Sequence, residues 1–164
     1  MTQTETQTLT PEQRTHLLQW AEALESGKYK QGKNQLINNY MVDDPADYTY
    51  CCLGVACEIL PKEEFGAVVA QAFRNARTES LPKEVDEYYG LHSDLHCTGR
   101  TISALCDDIE ANHFYPDISL KAYLSTLPFS RLNDSRGASF ANIAAHIRRV
   151  VKRSEELESS HNGN

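Results

Sequence analysis

Apolar side chains along this chain recur mostly at helical spacing. Leu17, Leu18, Ala21 and Leu24, with Trp20 beside them, place one apolar stripe on an amphipathic helix of about four turns. Thr10 marks its start as N-cap, with Pro11 at the first helical position. Gln13, three residues after the cap, completes a capping box. Ser26-Gly27 stops it. A second long helix opens behind Ser139, where Phe140, Ile143, Ala144, Ile147, Val150 and Val151 follow the i, i+3, i+4, i+7 rule. Between these two the pattern is more broken. Phe65, Val68, Val69, Ala72 and Phe73 predict a helix over 63–74. Leu81-Pro82 opens a short one that carries Val85, Tyr88 and Tyr89 and closes on Gly90. Ile102, Leu105, Cys106 and Ile109 predict another over 101–111. Strand signals are few. Leu36 to Val42 and the run Tyr48-Thr49-Tyr50-Cys51-Cys52-Leu53 read as strands around a turn at Asp43-Asp44-Pro45-Ala46-Asp47. A short helix over 54–60 then ends at Pro61, and 92–100 reads as loop. The predicted class is α+β, a helix-dominated single domain with a small sheet of two or three strands.

Length and composition agree with one domain. The chain has 164 residues, 40% of them hydrophobic and 24% charged, which is ordinary globular usage. Residues 1–10 are expected to form a flexible arm, 11–153 the globular domain, and the polar stretch 154–164 a tail that frays. No apolar run approaches the length of a membrane-spanning helix, and the first ten residues hold no apolar signal core. Five cysteines, two of them adjacent, read without a secretion signal as reduced thiols in the cytoplasm. The charge sum is 16 basic against 23 acidic residues, −7, which argues against a general nucleic-acid binder. The same −7 is too modest, and too often interrupted by cations, for an acidic mimic of nucleic acid.

Two places carry candidate chemistry. Cys52, at a predicted strand-to-helix junction, would feel the partial positive charge of a helix N-terminus, which favours thiolate. His92, His96, His113 or His146 would have to supply its base in space. The competing reading makes Cys51, Cys52 and Cys57 small buried packing residues. As zinc ligands these cysteines lack C-x-x-C spacing, and His92, His96 and Cys97 stand far along the chain, so no metal site or cofactor is expected. The second place is the glycine-flanked loop 27–32 with Lys28, Lys30 and Lys33. Its ammonium groups, backbone amides and Gln31 suit a small anion, and Tyr29 a stacked base. It lacks the Gly-Lys-Ser/Thr ending of a P-loop.

Three further segments read as structural. Asn133-Asp134-Ser135-Arg136-Gly137 is a turn with Gly137 at positive φ. Asp107, Asp108 and Glu110 make a solvated helix face. Arg148, Arg149, Lys152 and Arg153 form a basic stripe that Glu155, Glu156 and Glu158 can neutralise from the next turn.

Three blocks of sequence carry a resemblance. They are Trp20-x-x-Ala23-Leu24-x-Ser26-Gly27-x-Tyr29-x-Gln31, Tyr50-Cys51-Cys52-Leu53-Gly54-Val55-x-Cys57, and Leu132-Asn133-Asp134 with Ser139-Phe140-x-x-Ile143-Ala144. Together they are similar to a family of small bacteriophage and prophage proteins, and they span most of the chain. The resemblance implies a phage setting and supplies no mechanism. The expectation is a phage accessory protein for host takeover or anti-defence that acts by binding. It would sequester a small anionic ligand such as a nucleotide, through Lys28, Tyr29, Lys30, Gln31 and Lys33, or occlude a host protein. A cysteine-dependent hydrolase or transferase built on Cys52 is the alternative.

Overall fold

A seven-residue helix, enclosed along almost its whole length, lies at the centre of this protein. The computed structural model describes residues 8–39, 44–75, 81–93, 102–115 and 118–163. In chain order they form α1 (Pro11–Glu25), β1 (Ile37–Asn38), a 3-10 turn (Pro45–Asp47), β2 (Thr49–Tyr50), α2 (Cys52–Glu58) and α3 (Lys62–Asn75). Then follow α4 (Lys83–Tyr89), α5 (Ile102–Glu110), α6 (Leu120–Tyr123), α7 (Thr126–Asp134) and α8 (Phe140–Asn162). β1 and β2 pair antiparallel, with Ile37 opposite Tyr50 and Asn38 opposite Thr49. The architecture is a helix-dominated α+β domain.

The two long helices form as their patterns predict. Thr10 accepts a hydrogen bond from the Gln13 amide and donates its own amide to the Gln13 side chain, both at 3.1 Å. α1 and α8 then pack side by side and antiparallel, since Leu9 and Arg14 meet Ser154 and Glu158 while Glu25 meets Arg148. The stripe Leu17, Trp20, Ala21 and Leu24 is buried, as are Ile143, Ile147, Val150 and Val151. At roughly 1.5–3 kcal/mol for each large apolar side chain, this seam is a major source of stability.

Residues Cys52 to Cys57 of α2 are all buried. Its carbonyls find partners in side chains from both flanks. Trp20 Nε1 donates to the Cys52 carbonyl at 2.9 Å, and the Tyr89 hydroxyl to the Ala56 carbonyl at 2.7 Å. Gly54 sets the closest approach. A Cβ built there would lie 1.7 Å from the Leu36 carbonyl oxygen, which also accepts the Cys51 amide at 3.2 Å. The glycine in Cys-Cys-Leu-Gly-Val is therefore the site where chain and helix touch backbone to backbone.

Several boundaries differ from the sequence reading. The first strand is Ile37–Asn38, ended by Asn39 at φ 64°, and residues 40–43 lie outside the described residues. The second is confined to Thr49–Tyr50, because Cys51 caps α2 by accepting the Gly54 amide on its sulfur at 3.4 Å. The helix thus begins at Cys52 instead of Gly54, and Cys51 and Cys52 are a cap and a first helical residue, not two strand positions. The stretch expected to fray from 154 is the end of α8. Ser154 is fully buried and its hydroxyl accepts the Leu9 amide at 3.2 Å, while Glu158 pairs with Arg14 at 2.6 Å. Packing likewise starts at Leu9 rather than Pro11. The sequence pattern does not mark α6 and α7. They fold behind Ser119 and Ser125, and His92 is tied to this region by two backbone bonds, to Leu124 and from Thr126. Of the loop predicted over 92–100, residues 94–100 lie outside the described residues.

Two glycines make opposite predictions. Gly54→Ala must push α2 off the Leu36 backbone and should cost about 3 kcal/mol or more. Gly66, in the middle of α3, has no atom within 4 Å of a built Cβ, so Gly66→Ala should stabilise by about 0.5–1 kcal/mol. Urea denaturation of both variants measures the difference.

Candidate functional site

The lysine loop leaves α1 through Gly27, whose φ of 72° turns the chain back. It then runs along β2. Lys30 O accepts the Tyr50 amide at 2.9 Å, and the Gly32 amide donates to Tyr50 O at 2.7 Å, a parallel bridge outside the named strands. Tyr29 packs edge-on against Tyr50 with centroids 5.3 Å apart, so one face of its surroundings is already filled. The three ammonium groups go to different places. Lys28 lies over the Tyr29 ring, 5.1 Å from its centroid, and Lys30 donates to Ala46 O at 2.8 Å. Lys33 reaches the opposite way, its Nζ 3.8 Å from a Cβ built on Gly137.

Gln31 is the latch of this region. Its Nε2 donates to Asn133 Oδ1 at 3.0 Å and to Ala138 O at 2.8 Å, and its Oε1 accepts the Phe140 amide at 3.3 Å. Asn133 is fully buried and returns the contact, donating to Gly32 O at 2.8 Å and to Asp134 at 2.7 Å. The ends of the first and third sequence blocks therefore meet in one hydrogen-bonded cluster. Trp20 of the first block meets Cys52 of the second. Gly137 has the predicted positive φ, 65°, although Asn133 and Asp134 belong to the last turn of α7.

Beyond Gly137 opens a cavity of about 330 Å³, lined among others by Glu110, Arg136, Asn142 and Arg149. Arg136 is committed to the fold. It donates to Asp107 at 2.7 Å, to Glu110 at 2.8 Å and to both oxygens of Ser103. The acidic face predicted as solvated is thus half of an ion-pair network, and Asp108 beside it is buried. Arg149 is not so committed. Its Nη2 donates to Ile109 O at 3.2 Å, while its buried Nε has no acceptor among the described residues. Burial pushes its guanidinium pKa down, the direction expected of a charge that has lost water without gaining a counter-ion. The rest of the basic stripe disperses, with Arg148 on Glu25 and Arg153 on Glu156. In the sequence Arg136 belongs to a turn and Arg149 to a basic stripe. Only the meeting of α5 with the start of α8 brings them to one cavity.

The thiols sit elsewhere. Cys51, Cys52, Cys57 and Cys106 are free and buried. Cys52 has no exposed surface, and its Sγ contacts Phe129 O at 3.5 Å. Burial drives its pKa well up, and pushes Cys51 to about 12 and Cys106 to about 11. Position at a helix start is real for Cys52, but desolvation overrides it. His146 is enclosed by Phe114, Tyr123 and Phe129, and burial lowers its pKa to about 4. His16 stacks on Tyr88, and His96 and Cys97 lie outside the described residues. Among the described residues, no three His, Cys, Asp or Glu side chains gather as metal ligands. No helix among them is long and apolar enough to cross a membrane.

The profile of a domain of unknown function, DUF8296, matches residues 14–151, and the chain belongs to that family. No curated protein and no solved structure matches the chain.

Iodoacetamide should therefore leave Cys51, Cys52, Cys57 and Cys106 unlabelled in the native protein and label them once urea unfolds it. Rapid native modification of Cys52 would contradict its enclosure. His146 makes a pH prediction. Its folded pKa lies below the usual 6.5, so the stability present above that value is lost as pH falls towards 4. The loss should reach about 3 kcal/mol. In His146→Leu this part of the pH dependence should vanish from denaturation curves.

Proposed function

We propose that this DUF8296 protein is a phage accessory protein that acts by binding, capturing a small anionic ligand in the cavity between α5 and the start of α8. One observation carries the reading: a partly buried guanidinium, Arg149, lines a cavity while its buried Nε lacks an acceptor. An unpaired buried donor on a charged group is costly, and an anion supplies both the acceptor and the counter-charge. Lys33 does not line the cavity, but its Nζ lies 3.8 Å from a Cβ built on the lining residue Gly137, which puts a second cation near it. Asn142 offers an amide beside them. At about 330 Å³ the space suits a molecule between inorganic phosphate and a nucleoside monophosphate.

This narrows the ligand contacts from the whole lysine loop to its last residue. Gln31 serves the site by holding the loop against α8, and Tyr29 by anchoring it on β2. The phage setting rests on the resemblance carried by the three sequence blocks, and the free thiols favour the reducing cytoplasm of an infected cell. The enclosure of Cys52 weighs against the cysteine-enzyme alternative.

Thermal shift with phosphate, pyrophosphate and nucleoside monophosphates tests the proposal. At least one should raise the melting temperature, less so at high salt. Arg149→Gln should weaken that ligand by about 1.5–3 kcal/mol, and Lys33→Gln by less, because it is exposed. Lys28→Gln and Lys30→Gln should leave binding unchanged. No shift with any of these anions, or an equal shift in Arg149→Gln, would remove this site and favour occlusion of a host protein.

A further inference from the structure

The cavity between α5 and the start of α8 has a carboxylate in its wall as well as a guanidinium. Glu110 and Arg149 are neighbours there, since Arg149 Nη2 donates to the carbonyl of Ile109, the residue before Glu110. Yet among the described residues no ion pair joins the two. Glu110 Oε2 instead accepts from Arg136 Nη1 at 2.8 Å, and no donor among the described residues hydrogen-bonds the other oxygen. Arg136 is saturated in turn. Its Nη1 meets Asp107 and Glu110, and its Nη2 meets both oxygens of Ser103. Of the charged groups on the cavity wall, Arg149 keeps spare donors and Glu110 keeps a spare acceptor.

A bare anion satisfies only the first of these. Phosphate or pyrophosphate gains the guanidinium but brings like charge towards the carboxylate. An ammonium group suits Glu110 but lies against Arg136 as well. Hydroxyl groups suit both neighbours, because they donate to the carboxylate and add no charge. We propose, resting on the anion reading of this cavity, that its ligand is a phosphorylated sugar, free or as the ribose of a nucleoside monophosphate, with its phosphate on Arg149 and its hydroxyl pair on Glu110. A carboxylate that accepts from ribose hydroxyls is a general device of nucleotide recognition. Ile109, Leu132 and Ile143 of the same wall offer apolar contact to the sugar carbons. Glu110 is then the residue that separates sugar phosphates from bare phosphate.

Isothermal titration of the full chain with uridine 5′-monophosphate and its 2′,3′-dideoxy analogue provides the test. These probes differ only in the two ribose hydroxyls. The Glu110 side chain is 44% exposed, so the loss of its partner is felt less than in a closed site, and the ribonucleotide should bind about tenfold more tightly. Glu110→Gln should bring the two probes to near parity. Asp107→Asn also loosens Arg136 but changes no residue of the cavity wall, and it should keep the preference. Ribose 5-phosphate distinguishes the two sources. It equals the nucleotide where the free sugar phosphate is the ligand, and falls below it where the base adds contacts. Equal binding of the two nucleotides, or a preference undiminished in Glu110→Gln, with both probes still weakened by Arg149→Gln, would overturn this proposal and leave the anion site standing. Binding of neither probe, or binding indifferent to Arg149→Gln, would overturn both.

Discussion

The contact between Gly54 and the Leu36 carbonyl constrains everything around it. Two backbones at this separation leave no room for any side chain, so α2 is fixed against the chain that leads into β1. The same carbonyl takes the Cys51 amide, which sets where the helix starts. Once α2 is so placed, Cys52 faces Phe129 of α7, and its carbonyl receives the Trp20 indole from α1. Tyr89 of α4 reaches Ala56 from the far end. Four separate elements are registered on seven residues. That explains why the cysteines are cysteines: the positions need small, largely apolar side chains, and Cys51 must also accept one amide.

The polar latch is the surface counterpart of this core. Gln31 donates to Asn133, and Asn133 donates to the Gly32 carbonyl, across the gap between the loop after α1 and the end of α7. Neither helix end is left to water alone. Because Gln31 also takes the first amide of α8, the latch fixes where that helix begins, and hence where Arg149 points from two and a half turns later. The cavity between α5 and the start of α8 is therefore positioned by residues that do not line it.

Much of this was legible in the sequence. Capping at Thr10 and Ser139 and the apolar stripes behind them gave the correct long helices, because local rules and tertiary packing agree there. The short elements were less legible for a physical reason. α2 is buried all round, so it shows no amphipathic period, and its β-branched and aromatic neighbours mimic a strand. α6 and α7 are similar: Ser125, Thr126, Ser130 and Asn133 are polar yet buried, which composition reads as loop. The polar end of α8 misled for the converse reason, since one buried hydroxyl at Ser154 and one ion pair at Arg14 hold it down. The lysine loop is legible as charge, but where each ammonium goes depends on partners elsewhere in the chain.

The placement of cations decides between solvated surface and site. Arg136, Arg148 and Arg153 each meet a carboxylate, and such exposed or half-exposed pairs need no ligand to explain them. Arg149 differs because it is partly buried and, among the described residues, only the Ile109 carbonyl accepts from a group with five donors. Its neighbour Glu110 is already taken by Arg136, so the network that satisfies one guanidinium is what leaves the other short of an acceptor. Charge that the fold could have paired internally is instead turned towards a cavity.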